Sequence, residues 1–117
     1  MEKKIEGVCR AALKAFGEEH QQRKAVEEMG ELNAALMQYK DGRVTKEAVI
    51  TEIADVLITV SQLGLIFGLD EVSREVDRKI DRLADSIEKW KRIKVNSVSI
   101  KDGIIKVNYT EREYYGG

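Results

Sequence analysis

Apolar residues recur with a helical period through the first part of the chain. In the N-terminal segment they fall at i, i+3, i+4, i+7, i+8 and i+11, which is one stripe of a helix: Ile5, Val8, Cys9, Ala12, Leu13 and Phe16. Gly17 follows this stripe, and glycine commonly ends a helix. The pattern predicts a first helix that ends at Gly17, with Cys9 and Phe16 in the core.

Three further helices are predicted. The second helix runs from Glu19 to Tyr39, with Asp41-Gly42 as its stop signal. The third runs from Thr45 to Phe67 and is closed by Gly68, and the fourth runs from Asp70 to about Trp90. Thr45 and Asp70 are the predicted N-caps. The residues predicted to face inward are Ala25, Met29, Leu32, Ala35 and Leu36 on the second helix and Val72, Val76, Ile80, Leu83 and Ile87 on the fourth. The predicted fold class is therefore all-α, a four-helix bundle.

Beyond Trp90 the apolar period changes to that of strands. Val95 to Lys101 and Ile104 to Thr110 flank Asp102-Gly103, a strong signal for a two-residue hairpin turn. This turn predicts the pairs Ile100 with Ile105, Val98 with Val107 and Asn96 with Tyr109, and puts five large side chains on one face. A lone hairpin is marginal in water, so we expect that face to pack on the bundle or on another subunit. The segment from Glu111 to Gly117 is predicted to be a loose tail.

Composition agrees with one small domain. The chain has 117 residues, no proline, and 20 Lys+Arg against 21 Asp+Glu. This balance argues against a partner that is a nucleic-acid polymer. The chain has one cysteine, and its N-terminus lacks the apolar core of a signal peptide. Both features predict a cytoplasmic protein. A membrane span is not expected, because the most apolar stretch, Ala48 to Leu69, contains Glu52 and Asp55.

The third helix is apolar on nearly all sides, which three short partners in a chain of this size cannot cover. We therefore expect a homodimer or homotetramer that buries part of it. Gly30, inside the second helix, costs about 1 kcal/mol relative to alanine. Its presence predicts close packing or a ligand nearby.

Two acidic clusters carry the candidate chemistry. Glu28 and Glu31 on the second helix, and Glu52 and Asp55 on the third, each use an i, i+3 spacing that borders the apolar face. An acidic pair on a helix is ordinarily a solvated face with lysine partners. Glu52 and Asp55 argue against that interpretation, because buried acids are rare unless they are paired or bind a metal.

Four converging carboxylates need a cation. Oxygen-only ligands favour Mg²⁺, with Mn²⁺ as the second choice. The one histidine, His20, is not spaced as a ligand in a Glu-x-x-His motif, and we expect it to be solvated or to cap a helix. Since Mg²⁺ usually binds through a few carboxylates together with substrate phosphates, the sequence predicts phosphate-ester chemistry.

The order Glu-Glu-x-x-Glu, 20 residues, then Glu-x-x-Asp resembles the signature of the MazG-like, all-α nucleoside triphosphate pyrophosphohydrolases, in particular their short, single-domain, phage-type members. The resemblance covers roughly residues 13 to 85. The flanking matches are Phe16-Gly17, Gln22, Met29-Gly30, Leu32, Ala35-Leu36, Ile53-Ala54, Val56, Gln62-Leu63 and Lys79-x-x-Arg82. It implies Mg²⁺-dependent hydrolysis of a (deoxy)nucleoside triphosphate between the α and β phosphates, giving the monophosphate and pyrophosphate.

Carried over by position, the resemblance implies Glu28, Glu31, Glu52 and Asp55 as metal ligands and Glu27 as the residue that orients or deprotonates water. Lys79 and Arg82 are candidates for triphosphate binding and catalysis, with Lys24 as a third basic residue and Gln22 as a contact to base or sugar. Each has a simpler interpretation as part of a solvated helix face. Phe16 and Trp90 can stack on a base, although a core position is favoured for Phe16.

Residues 1–90 are thus predicted to form the all-α hydrolase domain, and residues 91–117 a hairpin extension and tail outside the resemblance. Two alternatives remain open. One is an enzyme of the same fold that acts on another pyrophosphate substrate, such as a phosphoribosyl nucleotide. The other is a non-catalytic helical adaptor that binds a partner protein through its apolar faces.

Overall fold

Four helices and a two-stranded hairpin make up the chain in a computed structural model, which describes residues 2–89, 93–101 and 104–111. The elements are α1 Lys3–Phe16, α2 Glu18–Lys40, α3 Lys46–Phe67, α4 Leu69–Lys89, β1 Ile93–Lys101 and β2 Ile104–Glu111. The predicted helices and strands are therefore all present. Trp90, the turn Asp102-Gly103 and most of the predicted tail lie outside the described residues.

The helix limits follow the capping signals closely. The Thr45 side chain accepts a hydrogen bond from the backbone N–H of Ala48 at the start of α3. Gly68 ends α3, and its backbone N–H donates to the Gly64 carbonyl. The cap predicted at Asp70 is wrong, because the chain re-enters a helix at Leu69, directly after Gly68. Asp70 instead lies in the first turn of α4, where a negative charge is favoured by the helix dipole.

The segment Lys3–Leu69 forms one compact unit, in which α1 packs on both α2 and α3. α2 and α3 run antiparallel, since Gln21 near the start of α2 contacts Gln62 near the end of α3. The buried apolar residues of this unit are small: Cys9, Ala25, Ala35 and Val49. Small side chains let α2 and α3 approach closely along their length.

The second unit comprises Asp70–Gly117 with Met1–Glu2 and contains most of α4 together with the hairpin. None of the α4 residues is buried. Val72 and Leu83, both predicted to face inward, are 40% and 59% exposed. The predicted boundary after residue 90 and the packing of α4 into a bundle with the first three helices stay predictions.

The hairpin register is confirmed at two of its three predicted pairs. Ile100 lies opposite Ile105 and Val98 opposite Val107, but Tyr109 pairs with Val95 rather than with Asn96. A bulge between Val95 and Ser97 shifts the register there. Because one extra residue reverses the alternation of side chains, the bulge brings Val95 onto the same face as Val98.

Several predicted core positions are exposed. Phe16, favoured as a core residue, is 63% exposed at the last position of α1, and its ring lies 5.9 Å from that of His20. Met29 and Leu36 on α2 are 37% and 47% exposed. The surface of α2 that contacts α3 is narrower than the apolar stripe of α2. Ala25 and Ala35 face α3, whereas Met29 and Leu36 lie about 100° around the helix from Glu28.

α3 carries an exposed apolar stripe along most of its length. Its first four members follow a spacing of three and four residues, the fifth lies seven residues further on, and all are 42–67% exposed: Ile50, Ile53, Leu57, Val60 and Phe67. By length and composition α3 is the one described helix that can cross a membrane, although the core helix of a soluble protein meets the same criterion. Within the unit Lys3–Leu69, α1 and α2 therefore leave much of α3 uncovered.

Alanine is expected to have opposite effects on stability at Gly17, the N-cap of α2, and at Gly30, inside α2. Gly17 adopts φ 91° and ψ 151°, a region that costs a residue with a Cβ about 1–3 kcal/mol. Around Gly30 an added Cβ would meet no atom within 4 Å, so the close packing predicted there is not found within the chain. We expect Gly17→Ala to lower the free energy of unfolding in urea by about that amount, and Gly30→Ala to raise it by up to about 1 kcal/mol. A loss of stability in Gly30→Ala would contradict the open space seen here.

Candidate metal centre

Three carboxylates from two helices converge in the contact between α2 and α3. One oxygen from each of Glu28, Glu31 and Glu52 lies within 4.8 Å of the others. The i, i+3 spacing places Glu28 and Glu31 on the same side of α2, and the antiparallel neighbour supplies Glu52. The structure thus brings together three of the four predicted ligands in a group that can hold a metal ion.

Burial makes this group costly without a cation. Glu28 is 7% exposed, and Glu52 is half-buried. The Oε2 atoms of both side chains are buried and have no hydrogen-bond partner. A buried carboxylate oxygen without a partner loses its hydration and gains nothing in return. Two such atoms beside a third carboxylate fit a hard cation, because they are the oxygen donors that Mg²⁺ and Mn²⁺ prefer.

Among the described residues, Lys24 supplies the one ammonium group that contacts the cluster. Its Nζ lies 3.3 Å from Glu28 Oε1 and 3.8 Å from Glu27 Oε1. The hydrogen bond to Glu28 and the charges of both carboxylates raise the pKa of Lys24, so it stays protonated. Lys24 therefore contacts one oxygen of Glu28, Oε1. The other oxygen, Oε2, is the buried atom without a hydrogen-bond partner.

Repulsion within the cluster is visible at its exposed member. The charge of Glu28 is the main cause that raises the pKa of the Glu31 carboxyl, followed by desolvation, with smaller effects from Glu52 and Glu27. A carboxyl whose pKa is raised by folding favours the folded state below its ordinary titration range and loses that advantage as pH rises through the raised pKa. At neutral pH the ionised Glu31 carboxylate therefore opposes folding, and a cation bound beside it would remove this effect.

Asp55, the fourth predicted ligand, is half-buried on α3 and is not part of the group of three carboxylates. It follows Glu52 by three residues, the same spacing that separates Glu28 from Glu31, so it lies on a neighbouring part of the α3 surface. Its role as a ligand stays a prediction.

The two other predicted site residues on α2 flank the cluster. The Glu27 side chain is 58% exposed and contacts Lys24. Gln22 is half-buried. Both predictions, a base at Glu27 and a substrate contact at Gln22, stay open.

Lys79 and Arg82 lie on α4, in the other compact unit, and both are exposed. Their charges, after those of Arg78, lower the pKa of Glu75, which Arg78 binds through Nε at 3.1 Å. Within the described part of the chain, neither Lys79 nor Arg82 forms an ion pair, whereas Arg74 and Arg78 each do. Lys79 and Arg82 therefore have no carboxylate partner in this part of the chain. Their contact with phosphate stays a prediction.

The buried pair of amides formed by Gln21 and Gln62 was not predicted from the sequence pattern. Gln21 Nε2 donates to Gln62 Oε1 at 2.6 Å, and His20 Nδ1 lies 2.7 Å from Gln21 Oε1. The signal was present, because each glutamine lies on the apolar, buried side of its helix. The prediction that His20 is exposed to solvent is confirmed, but the cap of α2 is Gly17.

Comparisons with protein-family models, with curated proteins and with solved structures find no match to this chain. The candidate site therefore stands on its own geometry: three carboxylates, two orphaned oxygens and one lysine.

Replacing Glu52 by glutamine tests the metal centre. In chelator we expect Glu52→Gln to melt about 2–5 °C higher than the wild type, because one charge is removed and the amide can donate to Glu28. In 10 mM Mg²⁺ we expect the order to reverse, since only the wild type gains stability from binding. The measurement is the melting temperature by circular dichroism. Glu47→Gln, an exposed acid on α3, is the control and should gain as much from Mg²⁺ as the wild type. A lower melting temperature of Glu52→Gln in chelator would make Glu52 a structural ion-pair partner instead.

Proposed function

We propose that this protein is a Mg²⁺-dependent nucleotide pyrophosphohydrolase, which cleaves (deoxy)nucleoside triphosphates between the α and β phosphates. The observation that carries the proposal is the pair of buried, unpartnered oxygens of Glu28 and Glu52 beside Glu31. The resemblance of the acidic motif to the MazG-like enzymes supplies the choice of substrate.

The carboxylates fit the metal chemistry that such a reaction needs. Glu28, Glu31 and Glu52 would hold the ion, with Asp55 as a fourth ligand. A bound Mg²⁺ supplies positive charge to the phosphate oxygens and lowers the pKa of water. An all-oxygen site at a helix contact, with no histidine or cysteine among its members, suits Mg²⁺ or Mn²⁺ better than Zn²⁺.

The residues around the cluster divide the remaining work. Glu27 is a carboxylate at the solvent-exposed edge, where it can accept a proton from the attacking water. Lys24 is held between Glu27 and Glu28 and can turn its ammonium group toward a phosphate oxygen. Lys79 and Arg82 have no carboxylate partner in the described residues and are the proposed contacts to the triphosphate, and Gln22 is the proposed contact to base or sugar.

We also infer that the chain assembles as a homodimer or homotetramer. Helical positions place the exposed residues Met29 and Leu36 of α2 on the same side of the helix pair as Ile53 and Leu57 of α3. An exposed apolar surface that continues across two helices is typical of a subunit interface. A second copy explains this surface better than a membrane does, because Glu28 and Glu52 lie in the same helix pair and charged side chains are costly in lipid. A cytoplasmic location follows from the proposed substrate.

The activity is tested with a panel of triphosphates. We expect the protein to release pyrophosphate, and no orthophosphate, from at least one nucleoside or deoxynucleoside triphosphate in Mg²⁺. Glu27→Gln should lower kcat at least 100-fold if Glu27 is the base. Glu19→Gln, an exposed acid two turns earlier on α2, is the matched control and should retain full activity.

Each alternative has its own outcome in this panel. Turnover of a phosphoribosyl nucleotide alone would assign the same chemistry to another substrate. Release of orthophosphate alone would contradict the proposed bond cleavage. A protein that turns over nothing and whose melting temperature does not respond to Mg²⁺ would be a binding module.

The assembly is tested by placing a charge in the exposed stripe of α3. We expect analytical ultracentrifugation to give a mass of at least twice the 13.3 kDa of one chain. Leu57→Lys should shift the protein to a monomer at micromolar concentration, because burial of a lysine in an apolar interface is costly. Val8→Lys, a change at an equally exposed apolar position on α1, should leave the mass unchanged. A wild-type monomer would contradict the inferred assembly.

A further inference from the structure

Polar groups from three helices meet in the core of the unit formed by Lys3–Leu69. Cys9 of α1, Gln21 of α2 and Gln62 of α3 are 2%, 7% and 6% exposed. Gln21 and Gln62 share the hydrogen bond of 2.6 Å. The Cys9 thiol donates to the Ile58 carbonyl of α3 at 3.9 Å, and burial is the main cause that raises the pKa of this thiol. We call Cys9, Gln21 and Gln62 the polar junction.

The junction has a defined orientation. Gln21 uses its oxygen toward His20 Nδ1 and its nitrogen toward Gln62 Oε1. Each end of the Gln21 amide therefore has a partner, although the His20 nitrogen donates or accepts according to its tautomer. A buried amide that loses its partner is destabilised by desolvation, so the pair strongly favours one alignment of α2 against α3.

Nothing else described in the α2–α3 contact selects an alignment as strictly. The buried apolar residues there, such as Ala25, Ala35 and Val49, can pack in more than one register. The carboxylates cannot select it either, because they repel one another. In helix pairs with apolar contacts, one buried polar pair is the feature that specifies register.

The same register governs the carboxylates. Gln21 precedes Glu31 by ten residues on α2, and Gln62 follows Glu52 by ten residues on α3. In antiparallel helices, the alignment that pairs Gln21 with Gln62 therefore also places Glu31 opposite Glu52. A slip by one helical turn, about 5.4 Å, would take Glu52 out of line with Glu31 and, in one of its two directions, away from Glu28 as well.

We propose that the Gln21–Gln62 hydrogen bond is a positioning element for the metal centre, which fixes the register of α2 against α3 and so holds Glu52 within reach of the ion bound by Glu28 and Glu31. Neither glutamine touches the ion in this role. The inference rests on the proposed metal site, and it also makes a claim about helix register that can be measured without metal.

The first test is the affinity for Mn²⁺, measured by electron paramagnetic resonance of the free ion. Gln62→Met has the same length as glutamine and no hydrogen-bonding amide, and we expect it to weaken Mn²⁺ binding at least 10-fold. Gln21→Met should have a similar effect, and the double variant should bind no more weakly than either single variant, because all three lack the same bond.

The matched control is Thr59→Val. Thr59 is 6% exposed on α3, but its hydroxyl donates to the Val56 carbonyl of its own helix. This change therefore removes a buried polar group without removing a bond between helices, and the affinity for Mn²⁺ should stay within 2-fold of the wild type. Equal affinities of Gln62→Met, Gln21→Met and wild type would overturn the proposal, as would equal losses in Thr59→Val and Gln62→Met.

The second test measures the register itself. Spin labels on cysteines introduced at the exposed positions Arg23 of α2 and Glu47 of α3 report distance along the helix pair, and the buried Cys9 should not react. With labelled chain diluted in unlabelled chain, we expect one narrow distance in the wild type, and in Gln62→Met a distribution that broadens or shifts by about 5 Å, one helical turn. An unchanged distribution in Gln62→Met would refute the positioning role. If the wild type binds no Mn²⁺, the proposed metal site fails, and this distance still decides whether the amide pair sets the register.

Discussion

The structure depends on a helix contact that must hold like charges together. α2 and α3 pack closely through small residues such as Ala25 and Ala35, and this closeness excludes water from Glu28. Two carboxylate oxygens are left without partners as a result. Apolar packing and hydrogen bonding elsewhere in the unit must offset this electrostatic cost. The proposed metal ion would relieve this cost.

Small apolar residues and the buried hydrogen bond have different effects on the contact between α2 and α3. The small residues set the distance between the two helices, and the Gln21–Gln62 bond sets their alignment along the axis. Distance and alignment together decide whether carboxylates on different helices can share one ion. α1 is tied to α3 as well, because the Cys9 thiol donates to the Ile58 carbonyl, although α1 carries none of the three acids.

Local signals in the sequence were sufficient for the helices and for most of the candidate site. Glycines, the Thr45 cap and the apolar period place the helix ends within about two residues, and the i, i+3 spacing identifies Glu28, Glu31 and Glu52. Positions that depend on what lies across from a residue were not predictable in this way. Phe16 is apolar and periodic yet exposed, because no helix of its own unit covers the end of α1. The partner of Tyr109 was misplaced because a bulge leaves no mark in the alternation of residues.

Charge balance favours a divalent cation over a monovalent one for the proposed metal centre. Ionised Glu28, Glu31 and Glu52 bring three negative charges into a space 4.8 Å across. Lys24 returns one positive charge from its contact with Glu28. Glu27 lies at the exposed edge, where solvent and salt screen its charge. Two negative charges thus remain in the cluster, together with two oxygens that lack any partner. A second lysine would neutralise only half of this charge, whereas the divalent ion that we propose would neutralise both charges.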